Sequence, residues 1–427
     1  MRHPERRVTE PKDLGILMNM NLQKIKLGEV CRFINGRAYS QPELLDSGKY
    51  KVLRVGNIFE GNHWYYSDME LDDDKYCNEG DLLYSWACTF GPYIWHGPKT
   101  IYHYHIWKVE PNQSLVDKHF LYYFLNHQTK GFMGSTHGST MIHITKENME
   151  NFEVLLPSLS DQKKIASVLS ALDDKIALNK KMNQKLEAMA KRLYDYWFVQ
   201  YDFPDKNGHP YKTTGGPMTY NPTLKREIPE GWKVKTLDEY LDCNKYSITA
   251  KSSYDFIQYL DTSSLTENTL ESLQRYESQA ESPSRAKRIV YANDILYSTV
   301  RPQQKHYGII KNPAQNMIAS TGFAILSCKY GSEYNDMFYL FLIQEKNLIK
   351  LSAIADSNAS SYPSFNPSDL LNLSICLPED IKTIEPLVKK FSSLFGIIER
   401  NQKENQKLTA LRDKLLPLLM NGQVVVE

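Results

Sequence analysis

The chain has 427 residues, of which 41% are hydrophobic and 24% are charged. This composition is typical of a globular protein of two or three domains, and it excludes disordered and collagen-like chains. The 51 Lys and Arg residues balance 50 Asp and Glu residues. That balance argues against a protein that coats nucleic acid by bulk charge, but it leaves room for local basic groups that bind DNA.

The sequence contains no targeting or membrane signal. No run of about 18 apolar residues is present, so we expect no membrane span. The first residues are charged and no apolar segment follows them, so we expect a cytoplasmic protein. The six cysteines form no C-x-x-C pair, which excludes a zinc ribbon and a redox motif and favours reduced, mostly buried thiols.

The chain repeats itself. Residues 169–193 and 391–415 align without a gap at a constant offset of 222, with 11 identities in 25 positions. Weaker similarities lie upstream in the same order: Asp81–Ser85 with Asp294–Ser298, Phe120–Leu125 with Phe338–Ile343, and Val154–Pro157 with Ile375–Pro378. The pattern indicates two copies of one unit, a mixed domain of roughly 130 residues followed by a long helix.

The globular part of each copy is predicted to mix strands and short helices. Runs of β-branched and aromatic residues between Gly, Pro and Asn predict strands at Tyr50–Val55, Asp81–Ser85 and Asp294–Val300. Phe120–Asn126 and Met337–Leu348 are predicted to be short helices. The stretch 204–230 is rich in Pro and Gly and is predicted to be the linker between the copies.

Two long helices are predicted. From Asp161 to about Phe198 no Pro or Gly interrupts the apolar 4-3 spacing, and Ser160 is the predicted N-cap. Such a stripe is typical of a coiled-coil seam, and a helix this long must pack along another helix. The predicted helix-pairing residues are Leu172, Ile176, Asn179, Asn183 and Leu186 in the first helix and Leu394, Ile398, Asn401, Asn405 and Leu408 in the second.

The asparagines of this seam allow two interpretations. If the helices pair antiparallel, Asn179 faces Asn405 and Asn183 faces Asn401, and such buried pairs would fix the register of the helices. Alternatively, the asparagines form a solvated polar patch.

No catalytic constellation is found in the sequence. A nucleotide-binding P-loop and the Asn-Pro-Pro-aromatic motif of amino-methyltransferases are both absent. Asp173-Asp174-Lys175 superficially resembles a nuclease motif, but its place on the first long helix favours a solvated helical face. His103 and His105 could lie on one face of a strand, but without a third ligand they favour a packed or surface pair over a metal site.

Several motifs resemble the specificity subunit of type I restriction–modification systems. The strongest runs from Leu156-Pro157 through Gln162-Lys163 to Asn179 and continues to Trp197-Phe198. Further matches are Asn21–Val30, Gly80–Leu83 and Ile228–Trp232. The second copy lacks the Gln-Lys-Ile run after Pro378, so equally strong partner contacts for the two copies do not follow from the motif.

The resemblance implies an α+β fold. Two tandem mixed α/β target recognition domains would be separated by two long helices forming an antiparallel coiled coil, as a pseudo-two-fold internal duplication. The expected segments are an N-terminal arm (1–20), recognition domain 1 (21–157), helix 1 (158–200), a linker (201–230), recognition domain 2 (231–378), helix 2 (379–420) and a tail (421–427).

The resemblance also implies a function. The chain would be a non-catalytic subunit in which each recognition domain reads one half of a bipartite target on double-stranded DNA. The helices would set the spacer and dock two methyltransferase subunits, and ATP-dependent restriction subunits would join that core. AdoMet, ATP and Mg²⁺ would belong to those partners, so no cofactor is expected here. The alternative is a coiled-coil adaptor whose two heads bind proteins and not DNA.

Candidate DNA contacts follow from the chemistry of base reading. Arginine and amide side chains read base edges, whereas Lys, Ser and Thr bind phosphates. In the first copy the candidates are Arg32, Asn35, Arg37, Tyr39, Arg54, Asn57, Ser85, Ser139 and Thr140. In the second copy they are Lys245, Lys251, Ser298, Arg301, Gln303, Gln304, Lys305, Ser357, Asn358, Ser360 and Ser361. For each of them, an ordinary solvated loop residue is the competing interpretation.

Overall fold

The computed structural model describes residues 22–59, 61, 63–134, 144–249, 252–358, 362–424 and 426. The chain divides into two compact units. Unit 1 comprises the residues up to Ala177 together with those from Gln406 onward, and unit 2 comprises Leu178–Asn405. Over the described ranges, no helix is both long enough and apolar enough to cross a membrane.

The described residues of unit 1 form ten strands. They are β1 (Gln23–Lys26), β2 (Cys31–Asn35), β3 (Tyr50–Leu53), β4 (Tyr65–Ser67), β5 (Tyr76–Cys77), β6 (Leu82–Ser85), β7 (Gly91–Ile94), β8 (Thr100–Tyr102), β9 (Ile106–Pro111) and β10 (Glu153–Leu156). They form one pair, β1-β10, and two four-stranded sheets in the orders β2-β9-β6-β7 and β4-β3-β8-β5. Strands β3 and β8 run parallel, and the other pairs are antiparallel.

The helices of unit 1 cover its sheets. They are α1 (Leu27–Val30), α2 (Val55–Phe59), α3 (Lys118–Gly134), α4 (Lys146–Asn151), the first part of α5 (Leu159–Tyr194) and the last part of α9 (Glu385–Met420). Helix α3 is much longer than the predicted Phe120–Asn126, because apolar residues continue along its buried face as far as Phe132. The main core of the unit joins α3, the β2-β9-β6-β7 sheet and the start of α5.

In the part of unit 2 that the structure describes, there are fourteen strands. They are β11 (Met218–Asn221), β12 (Arg226–Pro229), β13 (Trp232–Thr236), β14 (Leu241–Cys243), β15 (Ile257–Leu260), β16 (Leu265–Thr266), β17 (Thr269–Leu270), β18 (Gln274–Tyr276), β19 (Ala286–Ile289), β20 (Asp294–Ser298), β21 (Tyr307–Ile310), β22 (Met317–Ser320), β23 (Phe323–Cys328) and β24 (Ser374–Pro378). The sheets are β13-β24, β14-β23-β20-β21 and β18-β15-β22-β19, and two hairpins, β11-β12 and β16-β17, stand beside them. Strands β15 and β22 run parallel.

Helices complete the described part of unit 2. They are the last part of α5, α6 (Asn335–Leu342), α7 (Glu345–Ser357), α8 (Pro367–Leu371) and the first part of α9 (Glu385–Met420). The single helix predicted at Met337–Leu348 is therefore two helices, because the chain turns at Ile343 and Gln344 before α7 begins. The core of the unit packs α6, β20 and β23 against the long helices through buried residues such as Phe338 and Phe391.

The predicted limits of the first long helix need two corrections. Its N-cap is Ser158 and not Ser160, since the Ser158 hydroxyl accepts the Asp161 backbone N–H at 3.2 Å and donates to the Asp161 carboxylate at 2.7 Å. The α-helix ends at Tyr194, and a single π-helical turn covers Asp195–Val199.

The predicted linker is folded. Within it, β11 and β12 pair in register from Met218–Pro229 to Asn221–Arg226. Phe203 stacks on Trp232 with ring centroids 5.0 Å apart, and Tyr201 is 1% exposed. Aromatic side chains spaced among the Pro and Gly residues supply this small core, which a prediction based on Pro and Gly content overlooked.

Candidate nucleic-acid interface

Strand β20 in unit 2 ends at a loop that carries several predicted DNA contacts. The carboxylate of Asp294 accepts the Tyr291 backbone N–H at 2.7 Å, which fixes the turn into the strand. The five residues of β20 are all buried, so the strand is a rigid base. The loop that follows it, residues 301–305, is therefore placed at the end of a strand in the centre of a sheet.

The 301–305 loop holds a strained backbone. Arg301 and Lys305, at its two ends, have φ values of 46° and 56°, in the left-handed region. Non-glycine residues stay in this region only where their surroundings hold them, and such strain clusters at functional sites. The Arg301 backbone N–H donates to the Pro363 carbonyl at 2.9 Å, which anchors the loop to the segment after α7.

The structure brings several predicted residues together at this loop. The Gln303 amide lies 3.4 Å from the Asp356 carboxylate, beside Ser357 and Asn358 at the end of α7. The Arg301 guanidinium lies 5.6 Å from the ring centroid of Tyr362. The side chains of Arg301, Gln303, Gln304, Ser357 and Asn358 are exposed. An arginine and two amides at one loop have the donors and acceptors that read base edges.

Other predicted residues of unit 2 have different surroundings. The Lys305 ammonium pairs with Glu267 at 2.9 Å, and the Lys245 ammonium pairs with Asp242 at 2.9 Å in the turn after β14. Both partners are carboxylates that a phosphate would have to displace. Lys251, Ser360 and Ser361, and in the first copy Ser139 and Thr140, lie outside the described residues.

The two serines at strand ends need correction. Ser85 is 0% exposed and its hydroxyl donates to the Ala87 carbonyl at 3.2 Å. Ser298 is 2% exposed and donates to the Val300 carbonyl at 3.0 Å. Neither hydroxyl is accessible to DNA, so the two serines shape the turns after β6 and β20 and are removed from the set of candidate contacts.

Unit 1 has a polar cleft of about 490 Å³ where two predicted residues meet. Arg54 and Asn57 line it, and the Asn57 side-chain oxygen accepts the Arg54 backbone N–H at 3.0 Å. The cleft is also lined by His63, His103 and His105. It therefore combines a guanidinium, an amide and imidazole rings on one concave surface.

Two imidazoles of this cleft, those of His103 and His105, have lowered pKa values. The rings of His103 and His105 lie 4.8 Å apart. Burial lowers the pKa of His103 to about 4, helped by the neighbouring His105 and Arg54, and burial also lowers the pKa of His105. A neutral imidazole offers one donor and one acceptor. The sequence predicted a packed or surface pair of histidines here and not a metal site, and no cluster able to hold a metal occurs among the residues that the structure describes.

Arg37 and Tyr39 lie beside this cleft but are largely occupied. The Arg37 backbone forms a β-bridge with His103, and the Tyr39 ring stacks on the His103 ring at 6.3 Å. The Arg37 guanidinium bonds Glu43 at 2.6 Å and, with hydrogen bonds from Ser40, lowers the pKa of Glu43 to about 2. Contact with DNA would require Arg37 to leave this carboxylate.

Arg32 and Asn35 form a separate group. They line a second recess of about 370 Å³ together with Lys75. The Lys75 ammonium donates to the Asn35 carbonyl at 3.1 Å, and the Arg32 side chain is 78% exposed with Glu110 3.7 Å away. The predicted contacts of the first copy therefore fall into two groups, one at the cleft and one at this recess.

The seam of the long helices is paired by asparagines within unit 2. The Asn179 amide donates to the Asn405 side-chain oxygen at 2.9 Å, and the Asn401 amide donates to the Asn183 side-chain oxygen at 2.8 Å. The residue numbers of these pairs increase along α5 while they decrease along α9, so the two helices run antiparallel here. Asn179 is 1% exposed and Asn183 is 9% exposed, so the alternative of a solvated patch is wrong for these two residues.

The apolar pairing positions follow the same seam. In unit 2, Ile398 is buried, and Leu186 and Leu394 pack partly buried against the same core. In unit 1, Ile176 is buried, while Leu172 and Leu408 are half-buried. The 4-3 spacing thus marks the inward face of both helices.

Two residues of α5 have roles that the sequence analysis missed. Asp173, predicted on a solvated face, accepts hydrogen bonds from Arg412 and Tyr123, both at 2.7 Å. Gln162 is 1% exposed, and its amide bonds the backbone of Leu115, Asp117 and Pro157. Gln162 belongs to the family motif described above, and the structure shows that its side chain fixes the start of α5 to the backbone of neighbouring segments.

Comparisons with known proteins agree with this architecture. A family model for the type I restriction modification DNA specificity domain matches residues 19–188. The MjaVIII type I restriction enzyme specificity subunit of Methanocaldococcus jannaschii is 24% identical over 97% of this chain and 95% of its own length. The MjaIX specificity subunit of the same organism is 26% identical over 74% of this chain and 71% of its own length.

A solved structure is similar in fold. The S subunit of a type I restriction–modification system from M. genitalium aligns with a TM-score of 0.58 and 15% identity, covering 94% of this chain and 96% of that one. At this identity the likeness concerns the fold alone. With the sequence matches, it confirms the resemblance stated above: the chain is similar over most of its length to the specificity subunits of type I restriction–modification systems, which are the non-catalytic components of these systems.

Proposed function

We propose that this chain selects the DNA sequence on which a type I restriction–modification complex acts. Each unit reads one half of a bipartite target on double-stranded DNA. The paired long helices set the unread spacer and dock two methyltransferase subunits, to which ATP-dependent restriction subunits are added. AdoMet, ATP and Mg²⁺ are used by those partners.

The observation that carries this proposal is the 301–305 loop. Its exposed Arg301, Gln303 and Gln304 stand next to Ser357 and Asn358, on a loop anchored at both ends. Arginine pairs with guanine and glutamine pairs with adenine through two hydrogen bonds each, while serine and asparagine also bind phosphates. A preorganised set of this kind loses little conformational entropy on binding DNA.

The cleft of unit 1 supports a second reading site with different chemistry. Arg54 supplies a donor fork, Asn57 an amide, and the neutral His103 and His105 supply both donors and acceptors. Two sites that differ in their side chains fit a target whose two halves differ in sequence.

An internal duplication is supported by the matching order of strands. The sheet order β2-β9-β6-β7 in unit 1 corresponds to β14-β23-β20-β21 in unit 2, and β4-β3-β8-β5 corresponds to β18-β15-β22-β19. The last two sheets each contain one parallel pair of strands, β3 with β8 and β15 with β22. Details also match: Asp81 accepts the Asn78 backbone N–H as Asp294 accepts that of Tyr291. We infer that two copies of one recognition domain are joined in one chain.

Docking of methyltransferase subunits is supported by the surface of α5. Leu178, Met182 and Met189 are between 41% and 54% exposed on this helix. Large apolar side chains at a spacing of four and seven residues form a stripe that a helical partner can cover. The buried asparagine pairs fix the register of α5 against α9, as a spacer of constant length requires.

A gel shift with methyltransferase subunits added tests the proposal against the protein-binding adaptor. The probe is a library of degenerate duplex DNA, competed with unlabelled nonspecific DNA at two salt concentrations. A DNA-reading subunit enriches one bipartite sequence from the library. A protein-binding adaptor would form a larger complex with the methyltransferase subunits but would enrich no DNA sequence, and that outcome would contradict the proposal.

A further inference from the structure

The β16-β17 hairpin of unit 2 ends in a turn that is unusually enclosed. Leu265 pairs with Leu270 and Thr266 with Thr269, so Glu267 and Asn268 form a two-residue turn. Both have left-handed φ values, 43° and 63°, as tight hairpins require. Such turns ordinarily point into solvent, yet Asn268 is 5% exposed. Asn268, at the tip of this hairpin, is therefore inserted into the structure, while the Glu267 side chain stays 56% exposed.

One side of the turn faces both long helices. The Gln402 amide, on α9, donates to the Asn268 backbone carbonyl at 2.6 Å. The Asn268 side chain also lies near the carboxylate of Glu187, on α5, and stabilises its charged form. Burial raises the pKa of Glu187, so this carboxylate has few water molecules to replace a lost partner. A single residue thus contacts both helices of the pair.

The other side of the turn bonds the segment that carries the 301–305 loop. The Glu267 backbone N–H donates to the Lys305 carbonyl at 3.0 Å, and the Glu267 carboxylate pairs with the Lys305 ammonium at 2.9 Å. The Asn268 backbone N–H donates to the Tyr307 carbonyl at 2.8 Å, and its side-chain oxygen accepts the Ile309 N–H at 2.9 Å. The left-handed end of the loop at Lys305 is therefore held by this turn.

The fit leaves little room for a change of position. At Gly308, between the two segments, an added Cβ would lie 2.9 Å from Leu265 and 3.2 Å from the Asn268 side-chain oxygen. The side chain of His306 also bonds the hairpin, 3.0 Å from the Thr266 hydroxyl. A shift of the long helices that moves Glu187 and Gln402 would move the turn, and the turn would move the loop.

We propose that Asn268 is a positioning residue for DNA specificity. It sets the 301–305 loop against the paired helices, so that the helices influence which bases unit 2 accepts, although Asn268 touches no base. The proposal rests on the proposed function of this loop. Its consequence is that substitutions on the two helices, at Glu187 and Gln402, change the reading of one half of the target.

The test uses the complete complex of this chain with its methyltransferase subunits, acting on a degenerate plasmid library. Asn268→Gly permits the left-handed backbone and keeps its two backbone hydrogen bonds, but removes the amide. Gln402→Met removes the donor and keeps the length of the side chain. Gln184→Met, at an exposed position of α5 in the same unit, is the matched control.

We expect complexes with Asn268→Gly or Gln402→Met to methylate sequences that differ from the wild-type target in one half only. The loss of one well-placed hydrogen bond should reduce the preference at those bases about tenfold. The other half-site, and methylation by Gln184→Met, should stay as in the wild type. Glu187→Gln, which keeps an acceptor, should retain more of the preference than Glu187→Ala.

The pattern of lost discrimination separates a positioning role of Asn268 from a general loss of stability. Full discrimination by both Asn268→Gly and Gln402→Met would overturn the positioning role, as would an equal loss in both halves, which indicates general destabilisation. If Asn268→Gly unfolds at a lower temperature, Gln402→Met decides, because it leaves the turn itself unchanged. If the wild-type complex shows no sequence preference at all, the proposed function has failed and the positioning role fails with it.

Discussion

Each unit has a polar network at its long helices, and the two networks differ greatly in burial. In unit 2 the Lys311 ammonium lies 2.5 Å from the Asp336 carboxylate, which also accepts the Ser392 hydroxyl of α9 at 2.9 Å. The Asp336 side chain is 0% exposed and that of Lys311 is 10% exposed. In unit 1 the side chains of Asp173 and Arg412 are 30% and 28% exposed.

Burial decides how strongly such a contact stabilises the fold. A charge in a low-dielectric interior interacts strongly, and its loss leaves an unpaired ion that water cannot reach. Burial raises the pKa of Asp336 despite the nearby Lys311, so the desolvation of this carboxylate is substantial. In unit 1, water can replace a missing partner of Asp173. Unit 2 should therefore respond much more sharply to the loss of one partner.

The largest effect is expected for Lys311→Met. The substitution leaves the Asp336 carboxylate buried without its cation, which should lower the free energy of unfolding of unit 2 by about 3–5 kcal/mol. Urea unfolding, followed by tryptophan fluorescence and circular dichroism, measures the change. Lys350→Met, at an exposed position of α7, is the control and should change stability by less than about 0.5 kcal/mol. Equal effects of the two variants would remove the contrast between the units.

The asparagine seam should come next. Asn183→Leu leaves the Asn401 amide without its acceptor, which should cost about 1–3 kcal/mol. The double variant Asn183→Leu/Asn401→Leu should recover most of this loss, because two apolar side chains can pack together where the polar pair stood. Urea unfolding of the two variants measures both values. A double variant less stable than Asn183→Leu would show that the pair contributes more than register.

A comparison of Arg301 with Arg54 sharpens the functional contrast. Arg301→Ala should weaken specific DNA binding by about 1–3 kcal/mol and relax one base position. Arg54→Ala should relax a base in the other half of the target. Competition binding with single-base variants of the target measures both effects, and Arg400→Ala, an exposed arginine of α9, is the control. Relaxation of the same half by both variants would mean that the units do not read separate half-sites.

A smaller effect is expected for Tyr123→Phe in unit 1. The variant removes the hydroxyl that donates to Asp173 at 2.7 Å, while Arg412 remains paired with the same carboxylate. We expect a loss of about 0.5–1.5 kcal/mol in the free energy of unfolding. A loss as large as that of Lys311→Met, measured by urea unfolding, would contradict the account of burial given above.

A pH dependence of stability is expected in unit 1 from His103. The pKa of His103 falls from 6.5 in the unfolded chain to about 4 in the folded one. As the pH decreases, the unfolded chain therefore binds the proton first, and the stabilisation present above pH 6.5 is lost progressively towards pH 4. His103→Gln should flatten this part of the stability profile, and His119→Gln, at an exposed position, should not. Thermal unfolding between pH 4 and 7 measures the difference.

Much of the helical framework was predictable from the sequence, because a helix repeats its inward face at a regular spacing. The 4-3 stripe marked the buried face of α5 and α9, and antiparallel pairing predicted the partners of Asn179 and Asn183. The strands beginning at Leu82 and Asp294 were also located, since short buried runs between turns have a recognisable composition.

The candidate site was predictable only in part, because contacts between distant segments leave no local pattern. Residue type selected Ser85 and Ser298 for DNA contact, whereas burial makes them turn residues. Asn268 was overlooked, since a polar residue in a hairpin turn is normally solvated. The folded segment around Tyr201 and Trp232 was predicted to be a linker, because Pro and Gly content does not reveal aromatic packing.

Sequencing of methylated DNA from cells that express this chain with its methyltransferase subunits tests the central claim most directly. We expect methylation at one bipartite target, which consists of two short specified sequences separated by a constant number of unspecified base pairs. Expression of Arg301→Ala should relax one of these sequences and preserve the other together with the spacing. A single uninterrupted target, or methylation that does not depend on this chain, would contradict the account.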